Sequence, residues 1–280
     1  MRKLGCQFVS RESKHDIALH VVKIKHRTDA PQVVRLNGVY FDNKKDCAHM
    51  NAGIAKSMHG ADGVIYQSVF SKNMCNRYLG KYAGPSEVIF NGADPVRSRG
   101  IPPKTNKKRA YITVARWRPH KRLEETIEAF KLADVPNSVL WVAGVDKGAD
   151  LGENVVSIGK LQPNALIPYY RAAKALIHLC PFDSCPNSVV EAVCAGCPVI
   201  CTNTGGTQEI ADGTILNLDK WDGERTDVNA KINIDLSLVA NAIKAYSGRK
   251  RAVRCKHVDI RNTAIAYMDF FKKVLIGKKA

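Results

Sequence analysis

The chain has 280 residues, 45% hydrophobic and 25% charged, with 43 Lys and Arg against 26 Asp and Glu and a formal net charge of +17. This composition excludes a disordered or fibrous protein, and the length suffices for two domains. No apolar run reaches the roughly 18 residues of a membrane span, and the start MRKLGCQFVSRESKHD has no uninterrupted signal-peptide core, so a cytoplasmic protein is expected.

In chain order, the first hundred residues contain extended QVVRLNGVYF, a helical stretch from about Lys45 to Met58, extended DGVIYQSVF and then PSEVIFNGADP. Strands alternating with helices imply a parallel sheet. Gly100, Pro102, Pro103 and the polar KTNKKR read as a linker, because prolines stiffen the chain and lysines keep it in water. A domain boundary is therefore expected near Pro103.

Beyond it come a strand RAYITVA, a helix LEETIEAFKLA, a strand SVLWVAGV, a short strand NVVSIG and a helix ALIPYYRAA. They are followed by a strand KALIHLC, a loop PFDSCPN, a helix SVVEAVCAG, a strand PVICTN and a loop opening at Gly205. Near-continuous apolar strands imply burial on both faces, as in a doubly wound sheet. LSLVANAIKAY and AIAYMDFFKKVLI carry apolar residues at helical spacing. The expected organisation is α/β: a Rossmann-like domain at 1–103, a second at 104–258, and a terminal helix at 259–280 returning towards the first.

The nine cysteines are scattered rather than spaced as a framework, which suits reduced thiols. Cys194 and Cys197 form a C-x-x-C, but no second matched pair accompanies it, and Cys180 and Cys185 fall on a strand end and a loop. Packing thiols, no disulfide and no zinc site are expected. The basic runs at Lys107 to Arg109, Arg249 to His257 and the C-terminal lysines read as solvated surface, whereas Arg116 to Arg122 does not.

In a doubly wound domain ligands bind outside the carboxyl ends of the strands, where helix N-termini present N–H groups and partial positive charge. The strand ending at Ala115 leads into Arg116, Trp117, Arg118, Pro119, His120 and Lys121 ahead of a helix. Cations are unfavourable before a helix N-terminus, so these answer to an anion, and phosphate binding is expected. In the next constellation, Asn187 is a candidate N-cap, Ser188 follows it, and Glu191 lies one turn into the helix, able to accept from the hydroxyls of a bound sugar. Asp183 precedes them in the loop. Gly205 and Gly206 follow the next strand and permit close backbone approach to a ligand.

These residues resemble the retaining glycosyltransferases of family 4, the group 1 glycosyltransferases with the two-domain GT-B fold. The likeness covers Ala110 to about Leu216 strongly and Ala61 to Asp94 moderately. In that family a strand is followed by an Arg and, after four intervening residues, a Lys, both contacting the donor diphosphate. Arg116 and Lys121 match them. The family's Glu-x7-Glu signature is matched by Asp183 and Glu191, followed by EAVCAGCPVICTNTGGTQEI.

The resemblance implies that Glu191 binds the donor ribose and that Asp183, one methylene shorter than the family's Glu, faces the transferred hexose. It further implies that Gly159 lies beside the nucleobase and that the N–H groups around Asn187 and Ser188 face the phosphates. The N-terminal domain is shorter than is usual in the family and has no Gly-Gly loop after its first strand; Asn37 and Gly38 are the candidates for that role.

The activity implied is metal-independent, retaining hexosyl transfer in a cleft between the domains, by front-face attack with the leaving phosphate accepting the acceptor's proton. The donor is a nucleotide diphosphate sugar, GDP-mannose first and UDP-hexose second. No cofactor or metal is expected, and the acceptor is a glycan, glycolipid or glycoprotein. The basic surface adds peripheral contact with anionic membrane as an expectation. The alternatives are a hydrolysing epimerase of the same fold and, ranked last, a basic nucleic-acid-binding protein.

Overall fold

The structure, a computed structural model, describes residues 1, 5–10, 12–94, 109–218, 221–230, 233–248 and 256–277. The linker expected around Pro103, residues 107 and 108, most of the 249–257 basic run and the last lysines lie outside the described residues. The chain divides into two compact units, one of 1–91, 222–227 and 260–280, the other of 92–221 and 228–259.

In the first unit, β1 (Ala18–Val21), β2 (Gln32–Leu36), β3 (Gly63–Tyr66) and β4 (Ser86–Val88) form a parallel sheet in that order. Side chains alternate between its faces. Val34, Leu36, Val64 and Tyr66 pack against Ile54 and Met58 of α1 (Cys47–His59) and Cys75 and Leu79 of α2 (Val69–Leu79). Their neighbours Val33 and Ile65 pack instead against Tyr267, Phe270, Phe271 and Val274 of the terminal helix, which the second unit's helices make α8 (Ile260–Gly277). That helix passes so close to Gly63 that a Cβ there would sit 2.7 Å from a Val274 methyl carbon.

Two readings of this half are corrected. DGVIYQSVF is not extended throughout, because Ser68 accepts a hydrogen bond from the Ser71 N–H and starts α2 at once. QVVRLNGVYF leaves the sheet after Leu36. β1 and α2 went unread because β1 is short and half-exposed and α2 has little apolar periodicity.

In the second unit the parallel strands are β5 (Arg109–Val114), β6 (Ser138–Ala143), β7 (Val155–Gly159), β8 (Leu176–His178), β9 (Val199–Thr202) and β10 (Gly213–Leu216). Their order is β10-β9-β8-β5-β6-β7. The chain winds outward from β5 through β7, then returns to pair β8 on the other side of β5, with Ile112 opposite Leu176. The strand order reverses between β5 and β8, and a crevice opens at the carboxyl ends of those two strands.

Helix α3 (Leu123–Ala133) and α7 (Leu236–Tyr246) cover one face, where Tyr111, Leu140 and Val142 join Phe130 and Ile243. α4 (Pro163–Ala172) and α5 (Asn187–Cys194) are the neighbouring pair, followed by the single turn α6 (Thr207–Ile210). Trp141, alternating with Leu140 and Val142, meets Tyr169 edge-on at 5.2 Å. The eight described cysteines are free thiols. No helix among the described residues is long and apolar enough to cross a membrane.

Candidate functional site

A cavity of about 350 Å³ opens in the second unit where the strand order reverses, lined by residues following β5 and β8 and by the start of α5. The run after β5 is shaped by backbone geometry. Pro119–Lys121 forms one 3-10 turn, and Arg122 then takes a left-handed conformation, φ 57°, before α3 begins. Arg122 is buried, its guanidinium donating to the Leu179 carbonyl at the end of β8. Its charge is thus drawn inward and ties the ends of the two central strands together. The α3 first turn carries Glu124 and Glu125, which suit the helix dipole.

Arg116, by contrast, is exposed at the cavity and has no hydrogen-bond or ion-pair partner among the described residues. The backbone just before it is fixed by Gly144, whose φ is +100° and where a Cβ would lie 1.9 Å from the Ala115 carbonyl oxygen. Trp117 completes the brace, its indole N–H donating to the Ala143 carbonyl at 2.9 Å. Gly144 and Trp117 carried no signal as site supports in the sequence, since a glycine at a strand end is an ordinary turn residue.

Lys121 reaches across the cavity and donates to both carboxylate oxygens of Asp183 at 2.5 Å. His178, the last residue of β8, places Nε2 3.0 Å from Asp183 Oδ2. Burial alone would raise the Asp183 carboxyl, but the His178 hydrogen bond and the Lys121 ammonium outweigh it and hold the carboxyl well below its usual range. Burial likewise works to lower Lys121, and Cys180 and Asp183 outweigh it, so the ammonium is held more firmly than usual. Both partners are therefore ionised at neutral pH.

His178, Cys180 and Asp183 bring ligand atoms within 4.8 Å of one another. Burial pushes the Cys180 thiol up to about 12, and the Lys121 ammonium is bonded to the carboxylate. His120 is pushed down by burial and by Lys121 and stays neutral at pH 7.

Asn187 is the first residue of α5 rather than its N-cap, which is Pro186. Pro186 fits there because a cap needs only its carbonyl, which accepts from the Val189 and Val190 N–H groups at 3.0 and 3.1 Å. Asn187 and Ser188, in the first turn of α5, line the cavity wall. Glu191, one turn on, lines the same wall. Burial raises its carboxyl to about 7 against a weak opposing hydrogen bond from Tyr170, whose hydroxyl lies 3.4 Å from Oε2.

The cavity thus brings together Arg116, Lys121, Asp183, Asn187, Ser188 and Glu191. Gly205 and Gly206 lie behind it: the Gly206 N–H donates to the Asp183 carbonyl at 2.7 Å, and a Cβ at Gly205 would crowd the Pro181 and Asp183 carbonyls. Gly159, φ +86°, ends β7, and its carbonyl accepts from the Gly144 N–H. Asn37 and Gly38 belong to the first unit, where Arg35 donates to Asn37 Oδ1 and, through its other nitrogen, to Asn91. His178, like Pro163 and Leu166 of α4, lines the cavity without having been read as a site residue, because a histidine inside an apolar strand reads as a core residue.

Residues 97–215 match the family model described as glycosyl transferases group 1. None of the curated proteins matches the chain. Sucrose-phosphate synthase from Thermosynechococcus elongatus is similar in structure with a TM-score of 0.62, at 17% identity over 90% of this chain and 69% of that one. The α,α-trehalose 6-phosphate synthase from Burkholderia multivorans gives a TM-score of 0.62 at 13% identity over 89% and 68%. Alr3699/HepE from Anabaena, solved in complex with UDP-glucose, gives 0.56 at 17% identity over 85% and 72%. At these identities the likeness is one of fold: two Rossmann-like units of the GT-B type. Together with the match of residues 97–215 to the group 1 family model, this likeness of fold supports a glycosyltransferase.

Proposed function

We propose that the second unit's cavity binds a nucleotide diphosphate sugar and that the enzyme transfers its hexose with retention of configuration. The observation that carries this reading is the convergence of Arg116, Lys121 and the first-turn residues Asn187 and Ser188 of α5 on one cavity at the strand-order reversal. Cations and helix N–H groups held against the bound diphosphate stabilise the charge that grows on it as it departs. Arg116, which has no carboxylate partner among the described residues, and Lys121 supply the cationic side of the site, in keeping with transfer without metal. Glu191 then accepts from the ribose hydroxyls and Asp183 from the hexose.

Two donors remain in play. The family resemblance supports GDP-mannose, and the UDP-glucose complex of Alr3699/HepE supports a UDP-hexose. The acceptor is a glycan, glycolipid or glycoprotein, and the +17 net charge supports one presented at an anionic surface. The test is release of nucleoside diphosphate from GDP-mannose and UDP-glucose in the presence of chelator. Wild-type release that Arg116→Ala abolishes supports the reading; equal release by the two proteins, or none from either donor, counts against it.

A further inference from the structure

Asp183 sits on the loop between β8 and α5 and is held at both ends. Its carbonyl accepts from the Gly206 N–H at 2.7 Å. Its carboxylate has two side-chain partners that differ in kind. Oδ1 is bonded to Lys121 alone, whereas Oδ2 is bonded to Lys121 and to His178.

Lys121 is a long, flexible side chain on a 3-10 turn, and its ammonium faces the cavity that Arg116 also lines. An anion entering that cavity competes with Asp183 for it. His178 cannot be drawn away so: it ends an inner strand between β5 and β9, its ring is buried, and Leu176 and Ile177 before it are buried as well. A carboxylate only accepts, so the proton of this bond is on His178 Nε2 and the bond survives without any charge on the ring.

We propose that His178 is the positioning residue that keeps the Asp183 carboxylate aimed into the cavity when a donor diphosphate draws the Lys121 ammonium towards itself. In that state Oδ2 stays anchored to the sheet and Oδ1 is released to accept from a hydroxyl of the transferred sugar. Arg116 and the α5 N–H groups hold the diphosphate, so nucleotide affinity does not depend on His178. This inference rests on the donor-site reading above.

The test compares wild type, His178→Leu and His178→Gln, measuring acceptor-independent release of UDP from UDP-glucose and of GDP from GDP-mannose, nucleoside diphosphate affinity by calorimetry, and thermal unfolding. His178→Leu is expected to slow release on the order of 100-fold while nucleotide affinity stays within about threefold. His178→Gln, whose amide N–H reaches roughly where Nε2 does, is expected to restore most of the rate. Wild-type release by His178→Leu overturns the proposal alone. Equal loss of rate and affinity in both variants also overturns it, by marking His178 as a packing residue. Wild-type protein that releases nothing from either donor retires the donor-site reading and this proposal with it.

Discussion

Lys121 and Asp183, 62 residues apart in the chain, form a two-oxygen ion pair in which one ammonium lies 2.5 Å from both carboxylate oxygens. The pair joins the loop after β5 to the loop after β8, the two strands between which the sheet reverses its order. Each partner is mostly buried, so removing one leaves the other's charge poorly compensated, a much larger loss than breaking a surface pair.

Lys121→Met is accordingly expected to lower both turnover and stability, the latter by about 1 to 3 kcal/mol at pH 7 after allowance for the carboxylate's partial exposure. The Asp183 carboxyl is held below its unfolded value, so its contribution is present above the ordinary Asp range and fades as pH falls towards the folded value. Denaturant unfolding at pH 7 and pH 3 checks this. Wild type should lose more stability over that interval than the variant does.

Arg116→Ala is expected to behave differently. Arg116 is exposed and unpartnered among the described residues, so stability should stay within about 0.5 kcal/mol of wild type. Turnover should nonetheless fall roughly 100- to 1,000-fold, the usual loss when a preorganised charge partner is removed. Parallel melting curves and nucleotide-release rates separate the two effects.

Glu191 carries a pH dependence. Its carboxyl is raised to about 7 by burial, so the folded protein favours the protonated form and loses stability as pH rises from the unfolded value of 4.5 through 7. Glu191→Gln is expected to stabilise the protein at pH 8, by up to about 3 kcal/mol, and to change little at pH 4. If the ionised carboxylate accepts from ribose hydroxyls, nucleotide affinity should rise between pH 6 and 8 in wild type and stay flat in Glu191→Gln. Titrations at both pH values decide it.

The two central strands and the charged residues just past them were legible because local sequence dictates both. Near-continuous apolar runs such as RAYITVA mark strands buried on two faces, and a run of cations between a strand and a helix stands out against the helix dipole. LEETIEAFKLA was read residue for residue, because its apolar spacing keeps to one helix face. What escaped depends on contacts between distant segments. Asn187 has the side chain of an N-cap, but Pro186 takes the position because its carbonyl meets the helix first. Gly205 and Gly206 looked like a ligand loop, and what they touch is the backbone carrying Asp183. No local pattern announces that Lys121 reaches Asp183, or that His178 bonds the same carboxylate.

Gly144 gives a prediction that only the three-dimensional structure supplies. Its positive φ and the 1.9 Å separation between an added Cβ and the Ala115 carbonyl make any side chain there displace the segment carrying Arg116. Gly144→Ala is expected to cost roughly 2 to 3 kcal/mol of stability and to weaken nucleotide binding as well. A melting curve with a nucleotide titration checks both; a variant with unchanged melting would show that the β6 end does not brace the Arg116 loop.

The proposed nucleotide-sugar site lies in the cavity between the ends of β5 and β8. It is tested most directly by calorimetric titration of the full chain with GDP-mannose, GDP, UDP-glucose and UDP, in chelator and at moderate salt, for wild type and Glu191→Ala. The expected result is saturable binding of one nucleotide family by wild type, lost in Glu191→Ala. Absence of binding for all four, or binding that Glu191→Ala leaves intact, would contradict it.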